Sequence, residues 1–101
     1  MSQEKAEILE PTINFTDDEG TQLVKELDKQ FLSKGAWSTI MFKYCDLNKQ
    51  TGEFGPPKVA IRRYQKVNGE YKYRSKFNIS SEKQALKVIE ILSGWFGEKT
   101  D

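Results

Sequence analysis

The residues best equipped for chemistry in this chain are cations and aromatic rings, set close together between Ala36 and Ser80. That stretch holds nine bases (Lys43, Lys49, Lys58, Arg62, Arg63, Lys66, Lys72, Arg74 and Lys76) against three acids, Asp46, Glu53 and Glu70. It carries a charge of +6, while residues 1–35 carry −4 and residues 81–101 carry −1, so the chain's total of +1 conceals a segregation. All four tyrosines, at 44, 64, 71 and 73, lie in the same stretch. Cations meet phosphates and rings stack on bases, so a basic run interleaved with aromatics suits a nucleic-acid surface. A solvated sheet face accounts for the same composition with no ligand at all.

Most other chemistry is excluded by what is missing. The chain has no His and a single Cys, Cys45, which rules out Cys/His zinc sites, His-dependent triads and an internal disulfide. Asp17, Asp18 and Glu19 could hold Mg²⁺, but acids at a helix N-terminus explain them more simply. Residues Gly52 to Pro57 have neither the spacing nor the Lys-Ser/Thr of a phosphate-binding loop. The expectation is therefore a protein that is not an enzyme and holds neither metal nor cofactor. The first residues lack a basic-then-apolar leader and no apolar run approaches the roughly 18 residues of a membrane span, so a cytoplasmic, membrane-free location is expected.

The 101 residues suffice for one domain. Residues 1–7 read as a disordered acidic lead-in, 8–97 as the domain and 98–101 as a tail. A short edge strand is expected over Thr12 to Thr16. Thr16 with Glu19 then makes a capping box, and Leu23, Val24, Leu27 and Phe31 make an apolar stripe that Gly35 ends, which predicts a helix over Asp17 to Lys34. Ala36 to Asp46 is β-branched and aromatic, a strand whose inward set is expected to be Ile40, Phe42 and Tyr44. Leu47 to Pro57 reads as a loop, and Asn68-Gly69 as the turn of a hairpin between strands Lys58 to Val67 and Glu70 to Ser80. Ser81 with Gln84 opens a last helix, with Ala85, Val88, Ile89, Leu92, Trp95 and Phe96 as its stripe and Gly97 at its end. Ile13-Asn14-Phe15-Thr16 also echoes Phe77-Asn78-Ile79-Ser80. Together these predict an α+β fold, β-α-β-β-β-α, with an antiparallel four-stranded sheet, two helices packed on one face and an open basic face.

The hydrophobic pattern of the hairpin favours a three-residue loop, which pairs Val59 with Phe77 and Ile61 with Ser75 on the inner side. Lys58, Arg62, Tyr64 and Lys66 then share the outer side with Lys72, Arg74, Lys76 and Asn78. Arg62 lies across from Arg74, a repulsion that a polyanion would relieve.

Residues Lys58-Val59-Ala60-Ile61-Arg62-Arg63-Tyr64, Gly69-Glu70-Tyr71-Lys72 and Arg74-Ser75-Lys76-Phe77-Asn78-Ile79-Ser80, with the helix from Ser81, resemble the positive cofactor 4-like (transcriptional coactivator p15) family of single-stranded-DNA-binding proteins. The resemblance covers about residues 58–92. It implies a curved antiparallel sheet backed by a helix, a dimer formed partly through helices, and binding of unpaired DNA with little sequence preference. It implies phosphate contacts at Arg62, Lys72, Arg74 and Lys76, with Tyr64 a stacking ring. The expected function is thus sequence-tolerant single-stranded nucleic-acid binding by a coactivator-like accessory protein of transcription regulation. Candidate contacts are Lys43, Lys58, Arg62, Tyr64, Lys66, Lys72, Arg74 and Lys76, and the partners are single-stranded DNA or RNA and a second copy of the chain. The alternative is a protein-interaction or dimerisation domain that binds no nucleic acid.

Overall fold

A computed structural model describes residues 10–97, so the lead-in over 1–7 and the tail over 98–101 lie outside the described residues. The strands are β1 (Phe15–Thr16), β2 (Gln22–Ser33), β3 (Trp37–Asn48), β4 (Glu53–Phe54), β5 (Lys58–Val67) and β6 (Glu70–Ile79). One helix, α1 (Glu82–Phe96), follows. The sheet runs β1-β2-β3-β5-β6, with every pairing antiparallel and β4 attached to the end of β3. It curls into a half-barrel.

The central pair, β3 with β5, is unshifted from Trp37↔Gln65 to Tyr44↔Lys58. Period-2 alternation puts Ser38, Ile40, Phe42 and Tyr44 on one face, beside Tyr64, Arg62, Ala60 and Lys58. Ile40, Phe42 and Ala60 have no exposed surface, and Tyr44, Tyr64 and Ile13 join them in the core. This is the concave face, and the inward set expected for β3 is the one observed.

The expected helix over Asp17 to Lys34 is instead β2, and so the fold has one helix rather than two and a sheet of six strands rather than four. Two β-bulges explain why its sequence resembles a helix. Leu27 is extra between Glu26↔Tyr44 and Asp28↔Lys43, and Leu32 is extra between Phe31↔Ile40 and Ser33↔Thr39. Each bulge advances the phase by one residue, so Val24, Glu26, Lys29 and Phe31 all share the inner face. Val24 and Phe31 thereby acquire a spacing of seven, which a helix would also give. The capping-box residues form a hairpin turn: Asp17 Oδ1 accepts from Glu19 N–H at 2.9 Å and Thr21 N–H at 3.0 Å, and Gly20 takes a φ of +86°.

The hairpin register also departs from expectation. Asn68 at φ +51° and Gly69 at +80° form a two-residue turn of type I′ closed by Val67↔Glu70. Arg74 is then the extra residue of a bulge, after which Ile61 meets Phe77 and Val59 meets Ile79. The turn chemistry thus prevails, and the bulge rather than a longer loop brings the apolar residues together. Arg62 consequently pairs with Lys76, not Arg74. Val59, Ile61 and Phe77 lie on the convex face, opposite to the side expected for them.

The stretch read as a loop over Leu47 to Pro57 contains β4, which returns to pair Phe54 with Leu47. The last helix begins where the sequence places it, with Gln84 N–H donating to Ser81 Oγ at 3.1 Å and Ser80 N–H donating to Gln84 Oε1 at 2.9 Å. It buries none of its side chains and meets the sheet mainly at the end of β6, where its first turn borders a recess shared with Lys43 and Val59. Neither face of the sheet is covered by helices, which corrects the two-helix layer. The radius of gyration of 16.8 Å reflects this projection, against about 13 Å for a compact chain of 100 residues.

Phe42 anchors the closed part of the inner face. Phe42→Ala is expected to lower the unfolding free energy by about 3–5 kcal/mol in urea denaturation, the usual range for deleting a fully buried phenyl group.

A candidate nucleic-acid interface on the concave face

Strand alternation distributes the expected contact residues over both faces. Lys58, Arg62, Tyr64 and Lys66 are concave because they follow Ala60 at even spacing, and Lys76 joins them opposite Arg62. Lys43 and Lys72 are convex, paired with Val59 and Gln65. Arg74, on its bulge, donates from Nε to Gln65 Oε1 at 3.1 Å. The single basic face expected from the shifted register is therefore divided, and Lys43, Lys72 and Arg74 do not join the concave group.

The tyrosines divide too. Tyr64 is 5% exposed, with Tyr71 edge-on at 6.1 Å and Tyr73 tilted at 5.8 Å. It is a core ring, not one on which a base could stack. Tyr73 is half exposed, and the Arg62 guanidinium lies 5.1 Å from its centroid. Nothing in an alternating reading of β6 singles out Tyr73, because the Arg74 bulge is what turns it to the concave face.

Arg62 is the most constrained of the cations. Its guanidinium also lies 5.8 Å from the Phe42 ring, and its buried Nε has no hydrogen-bond partner among the described residues. A buried unsatisfied donor costs about 1–3 kcal/mol, and Lys76 directly across adds like-charge repulsion. The nearby carboxylates are already engaged. Glu26 accepts from Thr12 Oγ1 and Ile13 N–H, Glu10 pairs with Lys29 at 3.3 Å, and Asp46 pairs with Lys58 at 2.8 Å.

Residues 10–16 lie across this face as a strap. Ile13 enters the core, Lys29 Nζ donates to Pro11 O at 3.0 Å, and Asn14 Oδ1 accepts from Glu26 N–H at 2.7 Å and Gln22 Nε2 at 3.1 Å. Between the strap and β6 lies a recess of about 450 Å³ with Arg62, Lys76, Asn14 and Asn78 among its walls. The echo of Asn14 in Asn78 is the sequence signal for it: the two similar stretches are the edges of the curled sheet rather than two strand-helix units. Among the described residues no group of His, Cys, Asp and Glu is arranged to hold a metal ion, and no helix is long and apolar enough to cross a membrane. Searches for a matching protein-family profile, curated protein or solved structure find none.

The hydrogen bond from Lys58 to Asp46, and the charge of that carboxylate, hold the Lys58 ammonium above its ordinary 10.5; burial opposes this slightly and the Tyr44 phenolate adds to it. Because the folded value is raised, the pair's contribution is complete below about pH 10.5 and fades as pH climbs through the folded value. Wild type is expected to exceed Asp46→Asn in stability at about pH 9, by a margin that shrinks as pH climbs above 10.5, as read by chemical denaturation at each pH.

Proposed function

We propose that this protein binds single-stranded nucleic acid, DNA in the first instance, along the concave face of its half-barrel and with little sequence preference. The observation that carries the reading is the cross-strand pair Arg62 and Lys76, two cations with no carboxylate between them, bordered by the half-exposed ring of Tyr73. Phosphates would relieve the repulsion between the two cations, while Tyr73 offers a face for a base. Lys58 and Lys66 extend the positive potential along β5. A curved rim suits a flexible single strand better than a stiff duplex, whose persistence length is about 150 base pairs. The resemblance of residues 58–92 to the positive cofactor 4-like proteins points to the same ligand and to an accessory role in transcription.

A labelled single-stranded oligonucleotide is expected to bind more tightly than duplex of equal length in fluorescence polarisation, with affinity falling as salt rises. Lys76→Gln should reduce the salt slope by about one, with unchanged or improved thermal stability, because it removes a phosphate contact and a repulsion together. Equal affinity for duplex, or no binding at low salt, would overturn the reading.

A second copy of the chain is the other partner we propose, on a separate observation. Along α1, Ile89 is 58% exposed, Trp95 69% and Phe96 70%, on a helix with no buried side chain. A lone helix of about 15 residues is marginal in water, so its apolar stripe calls for a cover. Two-fold pairing of α1 gives each stripe that cover at once. Light scattering is expected to report a dimer, and Ile89→Asp with Leu92→Asp a monomer; a monomeric wild type at micromolar concentration would sink this second reading.

A further inference from the structure

The recess lies where the half-barrel fails to close, with Thr12 to Phe15 on one side and Lys76 and Asn78 of the edge strand β6 on the other. Its volume of about 450 Å³ greatly exceeds a lone phosphate and falls within the range of small-molecule sites. Its chemistry is divided. Arg62 and Lys76 bring positive charge to it, while Val24 and Phe15, which is 55% exposed, give it apolar surface, next to Asp46, whose carboxylate is paired with Lys58. The recess also holds two amides, Asn14 on the strap and Asn78 on β6. Asn14 Oδ1 already takes two donors, which fixes the orientation of its amide and leaves the NH₂ available; Asn78 makes no side-chain hydrogen bond among the described residues.

From this division we infer that the open seam seats one whole nucleotide of the bound strand, with its phosphate against Arg62 and Lys76 and its base against Phe15 and Val24, within reach of the amides of Asn14 and Asn78. The inference rests on the proposed nucleic-acid binding and adds to it a pocket for a nucleoside monophosphate unit. An NH₂ donor finds an acceptor on the edge of any base, so the seat imposes little sequence preference. The apolar surface separates this ligand from a free anion. It also assigns a role to Phe15, a large ring left 55% exposed.

The test is a titration of the ¹⁵N-labelled full chain with thymidine 5′-monophosphate, thymidine and inorganic phosphate, followed by NMR, with oligo-dT as competitor. Thymidine 5′-monophosphate should shift the amides of residues 12–15 and 76–78, compete with oligo-dT and bind about tenfold more tightly than phosphate or thymidine alone. Phe15→Ala should weaken the monophosphate about tenfold while leaving the salt dependence of oligo-dT binding unchanged, because no phosphate contact is removed. Asn78→Leu, on the exposed edge strand, should obstruct the seat from the other side. Phosphate as effective as the monophosphate would overturn the inference by reducing the site to an anion hole. Oligo-dT binding with no shift at 12–15 would overturn it too, leaving the seam to an extended peptide paired on the free edge of β6, with the proposed function intact. No binding of oligo-dT at all would remove both.

Discussion

The regular pairing of β3 with β5 is the constraint on which the rest of the structure depends. Ile40, Phe42 and Ala60 lose all contact with water there, and that burial fixes which face of every other strand must turn inward. The flanking strands meet this demand through bulges, two in β2 against β3 and one in β6, with a further register shift between β1 and β2. A bulge bends and overtwists its strand, so irregularity on both flanks of a regular centre curls the sheet toward the side it buries. The half-barrel, its strap and its open seam all follow from keeping one apolar face in phase.

The same phase determines where charge can sit. Because Arg62 and Lys58 alternate with Ala60, they are carried onto the concave side with the core, and the closing curl brings their environment nearer to low dielectric. Lys58 is matched by Asp46, whereas Arg62 lies against aromatic faces, has a second cation across from it and forms no ion pair among the described residues. Stability alone would favour a carboxylate at the position of Lys76, since opposite charges across an antiparallel pair contribute and like charges oppose. A cation there opposes the stability of the fold, a local inconsistency that the proposed binding would account for.

Much of this was legible in the residues, and the failures share one cause. The strands flanking Asn68-Gly69, the inward set of β3 and the cap of α1 at Ser81 follow from alternation, turn chemistry and capping, each a local rule. The helix expected over Asp17 to Lys34 and the register that paired Arg62 with Arg74 both assumed uninterrupted periods. A bulge changes a strand's period by a single residue and leaves no composition of its own: Leu27, Leu32 and Arg74 are ordinary residues at the extra positions. Turn chemistry at Asn68-Gly69 outweighed the hydrophobic pattern locally, and the pattern was restored further along β6 by one inserted side chain, Arg74. For the site, the basic composition of residues 36–80 was visible, while the division of its cations between two faces was not.

Strand β6 joins the two proposed interactions mechanically. It is an edge strand whose residues are mostly exposed, held by β5 on one side only, with Ile79 as its one buried side chain. Its end passes through the capping residues Ser80 and Ser81 directly into α1. Whatever covers α1 therefore also restrains the strand that carries Lys76 and Asn78, one wall of the seam. Pairing of two copies through α1 would order both seams by the same contact, reducing the entropy that a bound strand must otherwise supply to hold β6 in place.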